Sequence, residues 1–268
     1  KQCKGYFSKG CSYTRTTGIW QTVWLENVAS SNIASFKCTP DINTSRIYFD
    51  VLCRNANCME VKATAYFQGK ETGSCIATIE GKHARFNMEL DELHLWSCET
   101  PNLYDLVLEL GDDKVASYFG MRNTYYHANK FYLNNKVVYQ RLILDQGFYP
   151  DGIYTAPSDQ ELLNDIKRSM DMGFNGARLH QKVFEPRFLY HCDVLGYLVW
   201  EEHANWGLDI SKDKAWESFI PEWLEILERD YNHPSIIGWC PFNETQKDQN
   251  VNIIKYVANM TRAYDPTR

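Results

Sequence analysis

The chain has 268 residues, 44% hydrophobic and 14% aromatic, enough to bury one large core or two moderate ones. Its formal net charge is -6 and its aromatic residues are not interleaved with Lys/Arg clusters, which excludes a nucleic-acid footprint and a polybasic membrane patch. No apolar run approaches the ~20 residues that cross a bilayer, so neither nucleic acid nor membrane is expected as a partner, and a small neutral ligand such as a carbohydrate fits better.

Taken in chain order, Lys1-Gln2-Cys3-Lys4 leads into no signal-peptide apolar stretch, and the start reads as a cut inside a longer protein. Up to about residue 120, short runs alternate with the strand period. Val61, Ala63, Ala65 and Phe67 face one way, while Glu60, Lys62, Thr64 and Tyr66 face the other, as in a sheet with one wet face. Further strands are expected over 19–25, 46–52, 84–90 and 103–110, and strands at this spacing predict a β-sandwich.

After residue 130, short apolar strands alternate with amphipathic helices, the texture of βα units on a parallel sheet. Leu133-Asn134-Asn135-Lys136-Val137 reads as a tight hairpin turn, because Asn tolerates the left-handed conformation such turns need. Strands are expected over 138–144, 174–179, 197–200 and 236–241. Ser158 and Glu161 form a capping box opening a helix that carries Leu162, Ile166 and Met170, with Gly173 where a C-cap belongs. Further helices follow over 187–195, 214–231 and 250–264, Pro221 splitting or restarting the second of these. Four βα units without a Gly-rich phosphate loop predict a (β/α)8 TIM barrel, of which only half is present.

Nine cysteines form an odd set with no CxxC pair and no repeated spacing. Reduced thiols in a cytoplasmic protein are the simplest reading, and no metal or cofactor is expected; His191-Cys192 is a lone adjacent pair.

In a (β/α)8 barrel the active site lies at the C-terminal ends of the strands. The residues closing the four strands are Asp145-Gln146, Arg178-Leu179-His180-Gln181, Glu201-Glu202-His203 and Asn243-Glu244. That concentration of ionisable and amide groups suits binding sugar hydroxyls and protonating a leaving group. Arg178 is expected to be chiefly a structural ion-pair partner, with Glu202 the candidate, since buried charges persist mainly when paired. His180 and His203 have two readings, as substrate ligands or as buried, internally satisfied groups. Trp200, Trp216 and Trp223 are expected in packing, Trp206 and Trp239 near the pocket.

Several of these segments resemble glycoside hydrolase family 2, which holds β-galactosidases, β-glucuronidases and β-mannosidases. The stretch from Gly18 to Glu26 is similar to the last strand of that family's sugar-binding jelly roll. Leu95-Trp96-Ser97 through Pro101-Asn102-Leu103-Tyr104 is similar to its immunoglobulin-like β-sandwich, and Phe119-Gly120-Met121-Arg122 to its entry into the barrel. Gly173-Phe174-Asn175 with Arg178, Cys192-Asp193-Val194-Leu195-Gly196 with Glu201-Glu202, and Asn232-His233-Pro234-Ser235 leading to Asn243-Glu244 follow in the family's order.

The resemblance implies three parts: residues 1–26 as the end of the jelly roll, 27–120 as the immunoglobulin-like sandwich, and 121–268 as the N-terminal half of the catalytic TIM barrel. It makes Glu244 the general acid/base and Asn243 a ligand of the sugar 2-hydroxyl; the strand-end positions add Asp145, His180, Gln181, Glu202 and His203, with Trp206 and Trp239, as further substrate-binding candidates. The nucleophile, about 5 to 5.5 Å from the acid in retaining enzymes, is implied on a later strand, beyond residue 268. Many members carry a His three positions after the strand-two Arg, where this chain has Gln181, so transfer of that contact is in doubt.

The expected function is therefore that of part of a retaining exo-β-glycosidase, with β-galactosides the first candidate and β-glucuronides or β-mannosides the alternatives. A non-catalytic carbohydrate-binding protein is the competing class. A half-barrel leaves two unpaired sheet edges, so self-association or a homo-oligomer is also expected.

Overall fold

The computed structural model describes residues 2–3, 5–245 and 249–268. Seven strands form the sandwich: β1 (Asn32–Asp41), β2 (Arg46–Arg54), β3 (Glu60–Phe67), β4 (Lys70–Thr78), β5 (His83–Glu89), β6 (Tyr104–Leu110) and β7 (Asp113–Phe119). They divide into sheets ordered β1-β2-β5 and β4-β3-β6-β7, antiparallel throughout. The alternation reads through to the core: Ile47, Phe49 and Val51 of β2 meet Val61, Ala63 and Ala65 of β3 with Leu106 and Leu108 of β6.

The strand expected over 19–25 is absent. Residues 18–29 run without a ladder partner, and an extended segment with no neighbour to pair its amides is not a strand. Trp20 and Gln21 dock onto the barrel, whereas Ile19, Val23, Trp24 and Leu25 are exposed.

Beyond the sandwich a small hairpin sheet, β8 (Thr124–His127), β9 (Lys130–Leu133) and β10 (Lys136–Val137), turns at Asn134 and Asn135, with φ of 53° and 63°. Its Phe131 and Leu133 close the base of the barrel with Leu198 and Ile237, joined there by Trp96 from the sandwich.

The barrel strands β11 (Leu142–Asp145), β12 (Gly176–Leu179), β13 (Leu198–Glu202) and β14 (Ile236–Cys240) form a parallel sheet in that order. The connecting helices are α1 (Asp159–Asp171), α2 (Pro186–Leu195) and α3 (Asp213–Asp230), and α4 (Val251–Tyr264) follows β14. This is the opening half of a TIM barrel. Ser158 Oγ accepts from Glu161 N at 3.2 Å, but Glu161 turns to Asn164 and Arg168, so only half of the capping box forms. Pro221 does not split α3. It lies on the exposed face, where the carbonyl whose partner N–H it removes can meet water.

The Asn232-His233-Pro234-Ser235 segment joins barrel to sandwich. Asn232 bonds both Cys38 N and Phe36 O of β1, at 2.8 and 2.9 Å. Asp193 of α2, fully buried, accepts from Ser235 N (2.9 Å) and Tyr118 Oη (2.8 Å) and lies 2.6 Å from His233 Nδ1. Its carbonyl accepts from Trp96 Nε1 at 2.7 Å. Pro234 packs over Gly120, where a Cβ would come within 2.8 Å of its ring, so glycine is required there by close approach.

Candidate active site

Side chains of a parallel strand alternate between the barrel interior and the helical layer, and that parity sorts the candidates. On β13, Trp200 and Glu202 point inward. Val199 and Glu201, and His203 just beyond the strand, point toward the helices. On β12 and β14, Arg178 and Cys240 point inward. Gly238 makes room for the Trp200 ring, which an added Cβ would meet at 2.9 Å.

Glu202 is the hub of the interior. It is fully buried, with Oε2 2.5 Å from Arg178 Nε and Oε1 accepting from Gln181 N at 2.9 Å. His180 Nδ1 lies 3.0 Å from the same Oε1. Arg178 reaches on with Nη2 to Asn243 Oδ1 at 2.9 Å; burial is the largest single influence on its guanidinium and opposes the charge, but the charge and hydrogen bond of Glu202 together with the Cys240 contact raise it above its ordinary value. The expected Arg178–Glu202 pair is thus formed. It leaves Glu202 with no free face toward a sugar, and its part is to hold Arg178 and the Gln181 turn in place.

Gln181 sits in the left-handed region at φ 57° and is almost wholly buried. Its Nε2 donates to Glu202 Oε1 (3.3 Å) and Asn205 Oδ1 (2.6 Å), and its Oε1 accepts from Trp206 N (2.9 Å). Both amide hydrogens are engaged within the protein, so Gln181 does not supply the donor that a histidine would. Trp206 bonds Asn243 O through Nε1 at 3.1 Å and keeps 40% of its surface exposed on the rim. Asn205 was not singled out from sequence. The available signal was an amide three residues past a strand-end carboxylate, flanked by Ala204 and Trp206.

Asn243 is buried. Its Oδ1 is taken by Arg178, whereas Nδ2 has no partner among the described residues. Glu244 follows at φ 47° with its side chain exposed, and no described residue bonds its carboxylate.

Three candidates lie elsewhere, each for reasons of parity. His203 is packed between Phe219 and Trp223 of α3, at centroid distances of 4.4 and 5.8 Å, and burial pushes its imidazole down to about 4, so it stays neutral. Trp239 donates Nε1 to Asp265 Oδ2 at 2.7 Å and meets Trp223 edge-on, within the helical layer. Asp145 accepts from Gly147 N at 2.8 Å and lines a cleft of about 310 Å³ beside α1, where burial raises its carboxyl to about 6. The structure thus places these three outside the barrel interior that Arg178 and Glu202 occupy.

Glu201 also faces the helices. Burial and the neighbouring Asp230 raise its carboxyl well above the usual range, against the pull of Arg229. Among the described residues no cluster of three or more His, Cys, Asp or Glu could hold a metal ion.

Breaking the interior pair has a measurable cost. Arg178→Met strands Glu202, and because a third of Arg178 is exposed the loss is about 2 kcal/mol, below the range for a fully buried pair. Urea unfolding measures it, and the double replacement Arg178→Met/Glu202→Leu is expected to recover most of that stability.

The TIM barrel domain model of glycosyl hydrolases family 2 matches residues 127–268, and the companion model of the same family matches residues 31–122. The chain belongs to glycosyl hydrolases family 2. Its relatives include a protein named putative beta-glucuronidase from Formosa agariphila, 32% identical over 85% of this chain and 29% of that protein. A beta-galactosidase from Thermoanaerobacterium thermosulfurigenes is 26% identical over 98% of this chain and 38% of its own length. This family 2 chain therefore spans about a third of the length of the curated relatives it matches.

Two solved structures share the fold. The apo structure of Bacteroides uniformis beta-glucuronidase 3 superposes with a TM-score of 0.78 at 23% identity, covering 89% of this chain and 32% of that one. The Eisenbergiella tayi beta-galacturonidase bound to galacturonate gives 0.74 at 20%, covering 90% and 46%.

Proposed function

We propose that the protein containing this chain is a retaining exo-β-glycosidase acting on terminal β-linked sugars, β-galactosides first, with Glu244 as acid/base. The nucleophile is proposed on a later strand of the barrel. The observation that carries the reading is the Asn243-Glu244 pair at the end of β14. Asn243 has its carbonyl oxygen fixed by Arg178 and its Nδ2 buried without a described protein partner. An unsatisfied buried donor costs about 1–3 kcal/mol, which a sugar hydroxyl accepting from Nδ2 would recover. Glu244, next in the chain and open to solvent, would in this reading protonate the leaving oxygen beside that hydroxyl.

A glucuronidase relative raises the alternative of a uronide substrate. The two cations in and just beyond β12 favour a neutral sugar. Arg178 is engaged by Glu202 and Asn243, and Lys182 donates to Gly147 O and to Tyr154 O at 2.7 Å. Hydrolysis of nitrophenyl β-galactoside, β-glucuronide and β-mannoside by the product of the open reading frame containing this chain tests the proposal. The galactoside is expected to give the highest kcat/KM. Turnover of none would overturn the glycosidase reading, and calorimetric sugar binding without turnover would move the protein to the carbohydrate-binding class.

A further inference from the structure

Glu244 is positioned by its main chain: no described residue bonds its carboxylate, and its backbone stands in a conformation that a non-glycine residue adopts only when held. What holds it must therefore act on the adjoining peptides. The β13–β14 ladder cannot, because its register ends at Glu202 opposite Cys240, with one further bond from His203 N to Cys240 O at 3.1 Å, after which the chain beyond β13 turns away. Asn243 lies three residues past the end of that pairing.

The carboxamide of Asn205 takes the place of the missing strand. Its Oδ1 accepts from Asn243 N at 2.9 Å and its Nδ2 donates to Asn243 O at 3.2 Å, the two bonds that a facing residue of a ladder would exchange. The orientation of this amide follows from its neighbours. Trp206 N is a donor and must meet an oxygen of Gln181, which places Gln181 Nε2 against Asn205 and makes the contacted Asn205 atom an acceptor. The Asn243 carbonyl accepts a second bond from Trp206 Nε1. Both peptide groups of Asn243 are thus tied to side chains from the loop after β13, while its own side chain holds Arg178 through Oδ1 and keeps Nδ2 buried without a described partner.

We infer that Asn205 is the positioning residue of the acid/base, pairing with the Asn243 main chain as a side-chain substitute for a strand and thereby setting where Glu244 stands. This rests on the reading of Glu244 as the acid, and the test separates the two. In the full protein, Asn205→Ala and the near-isosteric Asn205→Asp are compared with Glu244→Gln on two glycosides, one with a methylphenol and one with a dinitrophenol leaving group. Misplacing a catalytic group by about 1 Å costs on the order of 100-fold. Asn205→Ala is therefore expected to lower kcat/KM about 10- to 100-fold on the methylphenyl glycoside and hardly at all on the dinitrophenyl glycoside, which needs no acid. Added to Glu244→Gln it should cost nothing more, since a residue acting only through Glu244 has nothing left to act on. Equal losses on both leaving groups, or losses that multiply in the double variant, overturn the inference.

Amide hydrogen exchange decides the clamp without reference to activity. Exchange of the Asn243 amide should accelerate at least about tenfold when Asn205 is replaced, and unchanged exchange overturns the clamp. Failure of the glycosidase reading shows separately, as Glu244→Gln retaining full activity on the methylphenyl glycoside.

Discussion

Glu244→Gln in the full protein is expected to lower kcat/KM on a glycoside with a poor leaving group by about 100- to 10,000-fold, the contribution of a positioned general acid. The loss should nearly vanish with a leaving group acidic enough to depart unprotonated. The substitution removes the transferable proton while keeping the shape of the side chain, and that side chain is exposed and bonded to no described residue. Stability should therefore hardly change, and thermal melting of the variant checks this. Full activity on the poor leaving group would remove Glu244 from the mechanism. A matching loss on both leaving groups would make it a binding residue rather than an acid.

Asp193→Ala is the substitution with the largest expected effect on stability, about 3–5 kcal/mol, the cost of removing one partner of a buried ionic contact. Tyr118 Oη and Ser235 N lose their acceptor together, and His233 loses the carboxylate that favours its protonation. At about 2–4 °C per kcal/mol the thermal midpoint should fall by about 10 °C; a shift of only about 2 °C would show that Tyr118 and His233 find other partners. A pH dependence accompanies this. Burial is the largest single influence on His233 and opposes its protonation, but the charge and hydrogen bond of Asp193 together with the charge of Asp230 raise the imidazole above its ordinary value. A raised folded value means that the stabilisation is fully present below the unfolded value of about 6.5 and is lost as pH climbs through the folded one. The parent should therefore lose this increment on going from about pH 6 into the alkaline range, and Asp193→Ala should not.

Much of the architecture was legible because periodicity reports burial. The period-two alternation around Val61 and the spacing of Leu162 and Ile166 both lie on core-facing surfaces. Asn134-Asn135 marked its turn through a steric preference local to two residues. The strand over 19–25 was misread because alternation signals a face to be covered and says nothing of whether a pairing strand is at hand. In the site, position at a strand end was legible and direction was not. His203 and Trp239 fall one residue from inward-facing Glu202 and Cys240, and a shift of one residue exchanges interior for helical layer. Gln181 could be seen as an amide in place of a histidine, but its saturation by the side chains of Glu202 and Asn205 and the main-chain amide of Trp206 depends on groups brought in from β13 and the loop after it.

The seam near residue 120, so plain as a change of texture, is a poor place to cut. Trp96 belongs to the sandwich by sequence, yet its ring fills the base of the barrel beside Leu198 and Ile237, and its indole N–H is capped by a carbonyl of α2. A chimera joined at that seam would inherit either a barrel with a hole the size of an indole or a sandwich carrying a bare tryptophan. Recombination within such a lineage should therefore exchange the two domains together, and a barrel taken from a distant relative would be accepted only with its own counterpart of Trp96.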